Sequence, residues 1–133
     1  GSGVFQELWN GIEVNHIGII NSEEHAANVY SFCDVFVAPS REENLANTVI
    51  ESLACGTPVV AFNVGGMVDL IDHCHNGYLA HPFDAQDLAS GISFVRDSVK
   101  TDQALSLNAR LKALKNFDQD KQITEFIGLI NGR

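Results

Sequence analysis

The chain has 133 residues, with 8 Lys and Arg against 17 Asp and Glu and a formal net charge of −9 with histidines neutral. That length fits one domain with a core of its own, and 45% hydrophobic residues exclude wholesale disorder. The acidity argues against nucleic acid or an anionic membrane surface as the main partner, since both reward clustered Lys and Arg. It leaves room for a phosphorylated ligand held by backbone amides at a helix start.

Segments of strand type alternate with segments of helix type. Val14 to Ile20 is short and β-rich. Asn21 or Ser22 caps a helix with Glu23 and Glu24 in its first turn, where the helix dipole favours carboxylates. Asp34 to Pro39 is an apolar run closed by proline, the mark of a buried parallel strand. A helix over about Asn47 to Ala54 ends at Gly56, a natural residue just past a helix end. Pro58 to Phe62 is a second buried strand, Val68 to Asp72 a helical turn, and Gly77 to Ala80 a short edge strand. Asp84 caps a helix over Ala85 to Val99. Two terminal helices follow within about 104–131, with apolar faces formed by Leu107, Leu111 and Leu114 and by Ile123, Phe126, Ile127 and Ile130. The pattern predicts an α/β fold: a doubly wound, Rossmann-like parallel sheet with helices on both faces. Ligands of such sheets sit beyond the carboxyl ends of the strands.

The segment Ser40 to Glu51 follows a buried strand and opens a helix. Glu43 and Glu51 have seven residues between them, which in a helix would span about 12 Å. That reach is comparable to a nucleoside diphosphate-sugar from ribose to sugar ring. Each carboxylate would accept charge-assisted hydrogen bonds from hydroxyls at one end, and the amides near Leu45 to Asn47 would face the diphosphate. The spacing alone also fits a plainer reading, in which Glu42 and Glu43 complement the helix dipole and Glu51 is a solvated helix residue.

The wider string decides between them. Asp34-Val-Phe-Val-Ala-Pro-Ser40, Glu43-(seven residues)-Glu51-Ser-Leu-Ala-Cys-Gly-Thr-Pro-Val-Val-Ala61, Val64-Gly-Gly66 and Asn76-Gly-Tyr-Leu79 stand in order at family intervals. This closely resembles the C-terminal, donor-binding domain of glycosyltransferase family 4, over about Val14 to Val95. The resemblance implies the C-terminal half of a GT-B fold and a retaining enzyme. Such an enzyme moves a sugar from a nucleoside diphosphate-sugar to a hydroxyl of a glycan or lipid-linked acceptor. It implies Glu43 as the catalytic-site glutamate at the sugar, Glu51 on the ribose hydroxyls, and Asn44, Leu45, Ala46 and Asn47 as the phosphate loop. Gly18 would lie near the nucleotide base, and Ser40 and Gly3 would also belong to the donor site. Where the family commonly reads Glu-Gly-Phe-Gly, this chain reads Glu-Asn-Leu-Ala.

Gly1-Ser2-Gly3 reads either as a tag remnant or as the family's Gly-x-Gly loop. Its continuation as a helix through Val4 to Leu8 favours the loop. The family domain begins earlier, with a strand–helix unit supplying an Arg and a Lys, so the chain is expected to be a partial domain, truncated on its N-terminal side and inactive alone. The resemblance implies no cofactor and no metal. Asp72-His73-Cys74-His75 lacks zinc-site spacing and reads as a solvated turn. Asp69 is either a donor-side acid or a helix-turn residue. Cys33, Cys55 and Cys74 form no CxxC pair and read as reduced thiols of a cytoplasmic protein. Trp9 and Tyr30 read as packing residues. The partners expected are the nucleotide-sugar, an acceptor held by a further domain, and, for the whole enzyme, a peripheral membrane surface. The competing functions are a related nucleotide-sugar epimerase and a non-catalytic nucleotide-binding domain.

Overall fold

The computed structural model describes residues 5–40, 46–117 and 121–131. The first pair of elements is a hairpin, β1 (Phe5–Trp9) and β2 (Ile12–His16), antiparallel with Trp9 opposite Ile12. Asn10 and Gly11 form its two-residue turn with φ of 50° and 83°. Positive φ at both central residues marks the turn whose twist suits a hairpin, and Asn-Gly is its preferred sequence. This corrects two expectations. Residues 5–8 are strand rather than helix, and Val14 to Ile20 is not one parallel strand: the strand ends at His16, and residues 17–20 are irregular. Alternation across the turn (Glu7 and His16 hydrogen-bonded, Gln6 bonded to Glu13) holds the ribbon by cross-strand pairs. Trp9, expected to pack, lies 60% exposed at the hairpin tip.

Helix α1 (Glu23–Phe32) starts as its sequence predicts, with the Ser22 hydroxyl accepting from the His25 amide at 3.1 Å. Strands β3 (Phe36–Ala38), β4 (Val59–Phe62) and β5 (Gly77–Ala80) form a parallel sheet in that order. Helix α2 (Ala46–Ala54) joins β3 to β4, and the short α3 (Met67–Leu70) joins β4 to β5. Beyond the sheet come α4 (Ala85–Thr101), α5 (Ala104–Phe117) and α6 (Lys121–Asn131).

All four residues of β4 are buried. Val59 and Ala61 enter a core with Val49 and Leu53 of α2, Ala109 and Ala113 of α5 and Ile123 of α6. Val60 faces the other way, onto Val95 of α4 and Leu105. Successive strand residues point to opposite faces, and here both faces are covered, so the strand is apolar throughout. The predicted doubly wound α/β class therefore holds.

The face of α5 does not. Leu107, Leu111 and Leu114 are 57%, 51% and 39% exposed, whereas Leu105, Ala109 and Ala113 are buried. Small Ala109 and Ala113 share one core with Val49, Leu53 and Ala54 of α2, where bulkier leucines would hold the two helices further apart. Cys33 and Cys74 are exposed and only Cys55 is buried.

Buried polar groups lock the loops. Ser52 donates to the Thr57 carbonyl at 2.9 Å, and Thr57 donates to the Tyr30 carbonyl at 2.6 Å. Asn76 accepts from the Asp72 amide at 2.9 Å and donates to the Leu70 carbonyl at 3.4 Å. Beside it, a Cβ on Gly77 would collide with the Val59 carbonyl oxygen and lie 3.1 Å from Val59 N. The Asn76-Gly77 pair thus serves the β4–β5 pairing. The outer edge of β5 is closed by the His73 ring, whose Nδ1 accepts from the Leu79 amide at 3.0 Å.

Candidate functional site

Helix α2 follows β3 in the chain and begins at Ala46, so the amides of its first turn, from Ala46 and Asn47 onward, have no partner within the helix. One turn further on, Thr48 and Glu51 face a cavity of about 470 Å³. Asn21, Ser22 and Glu23 from the start of α1 also line it, as does Tyr30 further along the same helix. Polar groups from two helix starts thus converge on one space, the arrangement that doubly wound sheets use for ligands.

Glu51 is half-buried. The Tyr30 hydroxyl donates to its Oε1 at 3.4 Å, across 21 residues of sequence. Burial first, and then the Glu51 charge, push the Tyr30 hydroxyl above its usual range, so it holds its proton more tightly than an ordinary tyrosine. At the rim, a hydrogen bond with Glu125 raises the pKa of Glu23, helped by desolvation and by the charges of Glu125 and Glu51. Carboxyl groups from three elements therefore share this region, and one proton is retained more tightly than usual. Among the described residues, no group of three or more His, Cys, Asp or Glu side chains is placed to hold a metal ion.

The other sequence-predicted residues are distributed as follows. Ala46 is half-buried and Asn47 exposed in the first turn of α2. Ser40 is half-buried two residues beyond β3. Gly18 is exposed with φ of 72° in the segment leading to Ile20, which does line the cavity. None of these four is among the cavity walls, whereas Glu51 is. Glu43, Asn44, Leu45 and Gly3 lie outside the described residues. Asp69 is exposed in α3. Sequence reasoning missed the involvement of Thr48, Glu23 and Tyr30. No spacing rule links Tyr30 to Glu51, since they meet only because α1 and α2 flank the same strand.

The family described as glycosyl transferases group 1 matches residues 5–112. A Campylobacter jejuni relative, N,N'-diacetylbacillosaminyl-diphospho-undecaprenol alpha-1,3-N-acetylgalactosaminyltransferase, is 30% identical over 82% of this chain and 28% of its own length. A D-inositol 3-phosphate glycosyltransferase of Saccharomonospora viridis is 37% identical over 62% of this chain and 19% of its own length. The chain thus spans less than a third of these relatives. Among solved structures, Anabaena HepE in complex with UDP and glucose superposes with a TM-score of 0.65 at 27% identity, covering 81% of this chain and 29% of HepE. Sucrose-phosphate synthase of Thermosynechococcus elongatus superposes with a TM-score of 0.64 at 31% identity, covering 78% of this chain and 26% of that one. The parallel sheet wound on both faces is the one expected of the C-terminal half of a GT-B fold. With four-fifths of its length matched and its architecture shared, the chain belongs to the glycosyl transferases group 1 family.

Proposed function

We propose that this chain is the donor-binding part of a retaining glycosyltransferase that takes a sugar from a nucleoside diphosphate-sugar to a hydroxyl of a glycan or lipid-linked acceptor. The observation that carries the reading is the half-buried carboxylate of Glu51, set on the wall of a cavity of about 470 Å³ between two helix starts. The UDP and glucose named with HepE and the diphospho-undecaprenol named with the Campylobacter relative support the donor and acceptor classes. In this reading Glu51 accepts hydrogen bonds from the ribose hydroxyls. First-turn amides of α2, with Asn44 and Leu45 before them, hold the diphosphate, whose charge the helix start favours. Glu43 orients the sugar, and Gly18, Ser40 and Gly3 shape the surrounding loops. The acceptor binds a further domain. The 133-residue chain alone is therefore expected to bind donor weakly and to show no turnover, and measurable turnover by it would refute that part.

Calorimetric titration of the full-length protein with UDP and with UDP-glucose tests the assignment. A hydrogen bond to a charged group is worth about 1.5–3 kcal/mol, so Glu51→Ala should weaken both ligands by about 10- to 100-fold. Glu43→Ala should weaken mainly the sugar-bearing ligand. Negligible effects from both substitutions would sink the proposal.

A further inference from the structure

We propose that Tyr30 is a positioning residue for Glu51, holding the carboxylate in the rotamer that receives the donor's ribose. The inference rests on the reading above that Glu51 meets the nucleoside. Two anchors fix Tyr30 apart from its contact with Glu51. Its ring stacks on Phe36 of β3, with centroids 5.5 Å apart and planes 20° from parallel. Its carbonyl accepts the Thr57 hydroxyl at 2.6 Å. Its hydroxyl reaches Glu51 Oε1 at 3.4 Å. The ring is thus tied to the sheet, whereas Glu51 sits on a helix with a flexible side chain of its own. Ordering such a side chain costs free energy when a ligand binds, and a fixed donor meets that cost in advance. Packing alone needs the ring but not the hydroxyl, and the hydroxyl is the part directed at the cavity's carboxylate. Tyr30 and Glu51 also share the cavity's wall, so no intervening residue is needed to carry the effect.

The test is a double-mutant cycle in the full-length protein with Tyr30→Phe, Glu51→Ala and both together, read by UDP affinity and by the split between KM and kcat. Tyr30→Phe keeps the ring and its stacking. The expected result is a roughly three- to tenfold weaker UDP affinity and higher donor KM. The expected kcat and melting temperature are near those of the parent, with no further loss when Tyr30→Phe is added to Glu51→Ala. Unchanged affinity in Tyr30→Phe alongside a large loss in Glu51→Ala would overturn the positioning role and leave the donor-site reading intact. Losses that add in the double variant would also overturn it, because Tyr30 would then act on the ligand independently of Glu51. A Tyr30→Phe protein that fails to fold would assign the hydroxyl to structure and likewise overturn the proposal. No loss in Glu51→Ala would overturn the donor-site reading itself, and this inference with it.

Discussion

Gly91 in the middle of α4 offers a sharp test of how the second face of the sheet is packed. Replacing a helix-interior glycine by alanine ordinarily stabilises a protein by about 1 kcal/mol, because glycine loses the most backbone freedom on folding. Here a Cβ on Gly91 would lie 2.8 Å from Cγ and 2.9 Å from Cε1 of Tyr78, with Cδ1 closer still. The ring has little room to retreat. Its hydroxyl donates to Asp87 Oδ1 at 2.6 Å, and His73 meets its edge with centroids 4.6 Å apart. Phe94 stands at 5.9 Å on another side. Overpacking of this kind costs about 1–3 kcal/mol, so it overcomes the propensity gain. Net of the propensity gain, we expect Gly91→Ala to destabilise the chain by up to about 2 kcal/mol, a fall in Tm of up to about 8 °C for a domain of this size. Urea unfolding followed by circular dichroism measures it, with an unchanged m-value as the sign that only stability moved. In a Tyr78→Ala background the same substitution should become stabilising by about 1 kcal/mol. A Gly91→Ala chain as stable as the parent, or more so, would refute the close approach of α4 to β5.

Asp87 has its carboxyl held below the usual 3.8 by the His81 amide and then by the Tyr78 hydroxyl. A depressed acid contributes stability above its unfolded value and loses it as pH falls through the folded one. Acid titration of the parent and Asp87→Asn should therefore show a stability difference near neutral pH that closes below about pH 3.8; a pH-independent difference would show that the contribution is not ionic. On α5, Ala113→Leu should cost about 1–3 kcal/mol by forcing α2 and α5 apart, whereas Leu111→Gln should stay within about 0.5 kcal/mol. Chemical denaturation reads both, and the reverse order would mean that the leucine stripe is the buried one.

Much of the fold was legible because its cause is local. Ser22 and Asp84 cap helices since a short side-chain oxygen reaches an amide three residues on. Gly56, with φ of 78°, ends α2 because it alone lacks the Cβ penalty there. The Asn10-Gly11 turn is legible by the same chemistry, and a hairpin closed by it excludes the family-like helix expected over Val4 to Leu8. The face that α5 buries has a through-space cause. Leucines at spacings of three and four define a stripe, but which stripe is buried depends on the partner's distance, and α2 comes close enough to select alanine.

The same division runs through the candidate site. Sequence by itself determined the alternation of strands and helices, the continuous apolar run of the strand ending at Phe62, and the place of Glu51 within the helix after β3, because each follows from residue chemistry and short-range spacing. Only the tertiary structure decided that Tyr30 donates to Glu51, that Thr48 and the start of α1 share its cavity, and that His73 bonds the outer edge of β5. Those contacts join residues far apart in the chain. They are set by how helices settle on a twisted sheet, a through-space outcome that no local pattern encodes.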